Sequence, residues 1–205
     1  MKGFMSVFYT WGLWLSKMML IHFIWLLLTL LGFGVFGVFP ATLAAAKAIY
    51  QIIKQEDDQN LYKGIWRDYR THFIKANSSG FIWLFISVFL YFDFRVSEIF
   101  IQSTVIHFFL VMVGFVAVSS FLMFITIFVR YELTVFQYFK QALFIAIAQP
   151  LEAIALVISS ILLIYLFLYL PALSAMMGIS VILYPIIWFG HRACVSVEEK
   201  NLAAN

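Results

Sequence analysis

Four histidines, ten carboxylates and one cysteine carry most of the chemistry this chain could perform. His22 and His107 stand inside uncharged runs, where an ionisable side chain is a functional candidate by default. Neither has a His, Asp or Glu three or four positions away, so neither is half of a helical metal pair. A neutral imidazole satisfied within a helical core is the plainer reading of both. His72 and His191 fall at expected segment boundaries. Glu152 follows Pro150 at the start of an apolar stretch. A carboxylate there is favoured by the helix N-terminus, with a proton or cation site as the alternative. Asp93, Arg95 and Glu98 form a charged cluster that reads as a solvated turn. Gly32, Gly34 and Gly37 spell G-x-G-x-x-G, and Glu56 follows about 20 positions on, as in a dinucleotide fingerprint. That motif needs a preceding strand and a βαβ unit, and an apolar helical run surrounds it here. These glycines read as sites of helix packing or bending. The G-x-S-x-G, H-E-x-x-H and P-loop patterns do not occur. The single cysteine, Cys194, excludes an intrachain disulfide and a cysteine-rich metal site. No catalytic, cofactor-binding or metal-ligating set emerges, and we expect neither an enzyme nor a bound cofactor.

The background explains why so few groups stand out. The chain is 64% hydrophobic and 11% charged, against about 45–50% and about 25% for soluble domains. A soluble fold of 205 residues has too little interior to hide that much apolar surface. A soluble enzyme, a disordered protein and a disulfide scaffold are excluded, which leaves an integral membrane protein. The net charge of +3 fits the Lys and Arg excess of cytoplasmic loops better than a nucleic-acid surface. Uncharged runs locate the spans at 18–46, 76–92, 99–129 and 153–191. A crossing takes about 20 apolar residues. The last run would make a helix about 58 Å long at about 1.5 Å per residue. Pro171, Ser174 and Gly178 divide it into a hairpin. The expected architecture is all-α: one polytopic domain over 1–205, with about five transmembrane helices near 18–39, 78–96, 101–128, 150–169 and 173–191.

Between the first two spans lie Lys47, Lys54, Lys63, Arg67, Arg70 and Lys75, against Arg95 alone in the next connection. This bias puts the 40–77 segment in the cytoplasm, the N-terminus outside and the C-terminus inside. The first apolar run exceeds the h-region of a cleaved signal, so it is expected to remain as an anchor. Pro40 suits the first turn of a helix over about 40–55. In that helix Gly37, Ala41, Ala45 and Ala48 form a small-residue stripe for close packing. A charged turn, Gln55 to Asn60, ends it. In a second helix, about 61–76, Tyr62, Ile65, Trp66, Tyr69 and Phe73 share one face, flanked by Lys63, Arg67 and Arg70. An aromatic face beside basic residues fits a helix lying on anionic headgroups. A partner-docking surface is the other reading. Asn77, Ser78, Ser79 and Gly80 read as a polar hinge into the second span. A further interfacial helix is expected near 133–147.

Phe39-Pro40-Ala41-Thr42, the Ala-rich helix, the acidic turn and the run from Trp66 to Phe73 closed by Lys75-Ala76-Asn77 and Gly80 together resemble the YesL-like family of bacterial integral membrane proteins, a domain of unknown function. The specific part of the likeness is confined to about 18–80. The resemblance implies a multi-pass protein of the bacterial cytoplasmic membrane, associated with carbohydrate uptake, and supplies no catalytic residues.

Two readings follow. In the first, the protein is a non-enzymatic accessory or regulatory component that contacts a carbohydrate transporter complex through Tyr62, Trp66, Arg67, Tyr69, Arg70 and Phe73. In the second, it is a small transporter or channel subunit moving solute through its own bundle, with His22, His107 and Glu152 as intramembrane polar candidates. The second reading needs His22, Thr29, Ser87, His107, Ser119, Ser120, Thr126, Ser159 and Ser160 to converge on one cavity. The expected partners are the anionic bilayer surface and such a complex, not nucleic acid.

Overall fold

The computed structural model describes residues 2–55, 60–101 and 103–203. The described chain forms seven α-helices and one π-helical turn: α1 (Lys2–Leu31), α2 (Val35–Lys54), α3 (Leu61–Val96), the turn Ser97–Ile101, α4 (Thr104–Arg130), α5 (Val135–Ala148), α6 (Pro150–Tyr169) and α7 (Pro171–Ala203). No strand occurs among the described residues. All of the helices except α5 are long and apolar enough to cross a membrane, six in total. The fold is a polytopic helical bundle.

The sixth such helix is α2, and it differs most from the sequence reading. The first helix ends at Leu31 instead of continuing to 39. Gly32, Phe33 and Gly34 then reverse the chain, with φ of 54° at Phe33 and 74° at Gly34. This left-handed pair closes on the Gly34 N–H, which donates to the Thr29 carbonyl at 2.9 Å. The glycines therefore make a bend, as their packing role suggested. Pro40 does not start the following helix but sits inside it. A proline there removes the N–H that would bond the Phe36 carbonyl. Asn77 of α3 makes good the loss, donating Nδ2 to Phe36 O at 3.0 Å. Asn77 is thus no hinge, and α3 runs through residues 77–80 without interruption.

The Ala stripe explains where α2 goes. Gly37, Ala41, Ala45 and Ala48 are all buried, and α1, α3, α4 and α7 pack around this one helix. In lipid, where apolar burial gives helices no net attraction, close backbone approach through small residues supplies the van der Waals contact. The stripe was legible in the sequence. Its setting, the centre of the bundle and not the membrane surface, was not. The acidic turn expected after α2 lies largely on 56–59, outside the described residues.

The antiparallel course of α1 and α7 fixes where the ends lie. His22 meets Ala175 and Ile179, while Trp14 meets Tyr184. The N-terminal end of α1 and the C-terminal end of α7 therefore share one end of the bundle. This differs from the odd-crossing arrangement expected from five spans. α3, at about 54 Å by its 36 residues, is longer than a hydrocarbon core of about 30 Å, so its charged first turns extend beyond that core. The helix expected near 133–147 is α5, opened by a capping box between Thr134 and Gln137. A single residue, Leu170, separates α6 from α7.

Candidate functional site

The bundle concentrates its charge at the end where α2 meets α3 and α4 meets α5. Asp68 stands on the buried stripe of α3 with Gly64, Ile65 and Tyr69. A carboxylate in such a place needs a counter-charge. Lys47 of α2 supplies it, with Nζ 3.0 Å from Oδ1, whereas Arg67 Nε stays at 3.9 Å. The Asp68 backbone carbonyl accepts from His72 Nδ1 at 3.1 Å. Beside these groups lies a cavity of about 140 Å³, floored by Pro40, Leu43 and Ala44 and walled by Arg130 and Tyr138.

A second cluster adjoins the first. Arg130 ends α4, and its guanidinium donates to His191 Nδ1 at 2.7 Å and to the Glu198 carboxylate, both on α7. Arginine offers only donors, so His191 Nδ1 must be an acceptor. The Tyr131 hydroxyl donates to the same Glu198. Burial, followed by that carboxylate, raises the Tyr131 pKa above its ordinary 10.0. Tyr138 donates its hydroxyl to the Tyr131 carbonyl at 2.8 Å and accepts from Leu133 N at 3.2 Å, which pins the connection between α4 and α5. Two further contacts reach α7: Glu152 of α6 to Arg192 at 3.0 Å, and Gln149, which caps α5, to Ser196 at 3.1 Å. Both ends of α5 therefore belong to this layer. Among the described side chains, every helix but α1 contributes to it. Chemically it can hold the cytoplasmic or extracytoplasmic ends of six helices in one geometry and present charge to whatever lies beyond.

The expected contact residues divide. Tyr62, Trp66, Arg67 and Arg70 are exposed near this end, with the Arg70 guanidinium 5.9 Å from the Trp66 ring centre. Tyr69 is buried and donates its hydroxyl to the Leu28 carbonyl at 3.2 Å. Phe73 is half-buried against the core and meets Tyr69 edge-on. One helical face in sequence is thus split by its neighbours in space. Of the intramembrane candidates, Glu152 joins the charged layer, and His22 bonds to α7. His107 lies at the opposite end, exposed against Phe94. The candidates do not come together.

The nine polar groups required for a route through the bundle also scatter. Ser87, Ser119, Ser159 and Ser160 each bond a carbonyl of the preceding turn in their own helix. Thr126 donates to the Ile186 carbonyl at 3.1 Å. None of five cavities in the described structure is lined by more than one of the nine.

The residues that sequence reasoning missed are Lys47, Asp68, Arg130, Tyr131 and Glu198 as a set. Asp68 did carry a signal, since it falls on the apolar stripe between Ile65 and Tyr69. The Arg130 to Glu198 pairing had none, because the two residues are 68 positions apart.

Residues 18–94 match the model of a family described as a protein of unknown function, DUF624. The chain is similar to the uncharacterized protein YteU of Bacillus subtilis strain 168, with 26% identity over 191 residues, covering 92% of this chain and 85% of that one. It is also similar to the uncharacterized protein YesV of the same organism, at 25% identity over 181 residues, covering 87% and 86%. No solved structure matches.

Proposed function

We propose that the protein is a non-enzymatic accessory or regulatory component of a bacterial carbohydrate uptake system, resident in the cytoplasmic membrane. The observation that carries this over a transport role is the scatter of the intramembrane polar groups: Ser87, Ser119, Ser159 and Ser160 bond their own helices, Thr126 bonds a neighbouring backbone, and the Thr29 and Ser120 hydroxyls are buried away from any shared cavity. A solute route needs such groups to line one cavity. The carbohydrate association rests on the resemblance of 18–80 to the YesL-like family.

The end carrying Lys54, Lys63, Arg67, Arg70, Lys75, Lys140, Arg192 and Lys200 faces the cytoplasm in this reading, because only Arg95 stands at the other. Both chain ends then lie inside. Tyr62, Trp66 and Arg70 are the contact elements, being aromatic and basic side chains left exposed beside the charged layer. Around them the anionic headgroups hold α3.

The test is recovery of a tagged copy from its native host in gentle detergent. A sugar transporter is expected in stoichiometric amount, and Tyr62→Ala with Trp66→Ala is expected to lose it while the bundle keeps its thermal stability. Recovery of this chain alone, together with solute flux in liposomes, overturns the reading in favour of a small transporter.

A further inference from the structure

α7 is broken at Met177, where φ is −152° and ψ 18°. In a continuous helix the Ile179 N–H would bond the Ala175 carbonyl four residues back. Here both groups bond one side chain from another helix. His22 Nδ1 accepts from the Ile179 N–H at 3.4 Å, and His22 Nε2 donates to the Ala175 carbonyl at 3.1 Å. A backbone N–H only donates and a carbonyl only accepts. The imidazole is therefore neutral, with its proton on Nε2. It replaces one missing rung of the helix. A side chain inserted into the hydrogen-bond ladder is a known cause of a sharp kink. Pro185 is not the cause, because it frees the carbonyl of residue 181, beyond the break.

The ring is held for this task. His22 is 5% exposed and stacks on Trp25, whose indole N–H donates to Thr42 of α2 at 3.0 Å. Gly178 packs beside the ring, where a Cβ would lie at an ordinary contact distance of 4.0 Å from His22 Cε1. Among the described residues, no charged side chain of α1, α2, α3 or α7 has a resolved contact with the imidazole. Titratable groups on α1, α2 and α7 with resolved contacts are engaged elsewhere: Lys47 with Asp68, Tyr50 with His191, Tyr184 with Trp14, Arg192 with Glu152, and His191 and Glu198 with Arg130.

We propose that His22 is a proton-sensitive splint that holds the two halves of α7 at a fixed angle in its neutral form and releases them when protonated. A proton taken from water onto Nδ1 sets a donor against the Ile179 N–H. Both cannot point at each other, so the bridge opens and leaves the joint free. The missing N–H of Pro40 in α2 is a contrast, since Asn77 serves the freed Phe36 carbonyl through an amide that does not titrate. The half of α7 beyond the joint carries His191, Arg192 and Glu198, so the splint stands between the membrane interior and the charged layer.

The test is NMR on the full chain in lipid nanodiscs, labelled at His and Ile nitrogen. At about pH 8 the His22 ring is expected as the Nε2–H form with the Ile179 amide protected, and at about pH 5 as the cation. Across that range the protection factor at Ile179 is expected to fall about tenfold. His22→Gln keeps a donor and an acceptor without a titration, so its Ile179 protection should not change with pH. His22→Ala should lack the protection throughout. A ring in the Nδ1–H form, a ring that stays neutral at the lower pH, or one that titrates while Ile179 does not respond, overturns the proposal. So does a response at Ile179 that persists in His22→Gln. Should neither variant fold, the wild-type titration alone decides, because ring and amide either share one midpoint or do not.

Discussion

Asp68 and Lys47 are unequal partners. The Asp68 side chain keeps 8% of its exposure and the Lys47 side chain 33%. Removing the lysine strands a buried carboxylate, whereas removing the aspartate leaves an ammonium that can still reach water. Lys47→Ala is therefore expected to cost about 1–3 kcal/mol of stability and Asp68→Ala less. Thermal unfolding in detergent checks the order, and a larger loss in Asp68→Ala would contradict it. Tyr131 gives the same end a pH limit. Its folded pKa lies above its unfolded value, so its contribution is present below pH 10.0 and is lost as pH rises past it. Tyr131→Phe should flatten that alkaline loss of stability, measured as midpoint against pH. An unchanged alkaline limb would locate the loss elsewhere.

At the scale of elements, α2 is a helix with a proline inside it and a repair outside it. The Phe36 carbonyl, orphaned by Pro40, takes its bond from Asn77 of α3. Asn77→Leu removes the bond and leaves the Phe36 carbonyl without its partner, at about 1–3 kcal/mol. Adding Pro40→Ala returns an N–H within the helix, so the double variant should recover stability that the single one loses. Strictly additive losses would show that the two sites are independent. The same helix limits size along its stripe. Ala45 is fully buried among α2's neighbours. Ala45→Leu overfills that contact, with an expected cost of about 1–3 kcal/mol, where the exposed position Val38 should accept the same residue.

For the whole molecule, the decisive quantity is the number of crossings. The charge gaps yield five because Lys17 and Lys47 bound a single run, inside which the structure folds two helices about Gly32–Gly34. If all six of the long apolar helices cross, both chain ends lie on one side. Single cysteines introduced near residue 10 and near residue 200, in a Cys194→Ser background, are expected to be shielded together from an impermeant reagent added outside intact cells. Labelling of one and not the other would restore an odd number. The charged layer belongs to this scale too, since it joins side chains from six helices and no one of them could form it alone.

Composition settled that the chain is a polytopic helical bundle, because so apolar a sequence has no other way to satisfy its backbone. Local pattern settled α5, the α6–α7 hairpin at Pro171 and the Ala stripe, since each depends on residues within a few turns. Local pattern failed where a local rule is met by a distant group. Pro40 reads as a helix start until Asn77 is seen to serve it. His22 is the satisfied core imidazole that its sequence setting suggested, but its partners on α7 had no local signal. Tyr69 and Trp66 read as one face until neighbouring helices cover the first and leave the second exposed. Hydrogen bonds between groups many tens of residues apart have no period to detect, so only the tertiary structure decides which polar residues in this membrane protein are repairs, which are locks and which remain free to meet a partner.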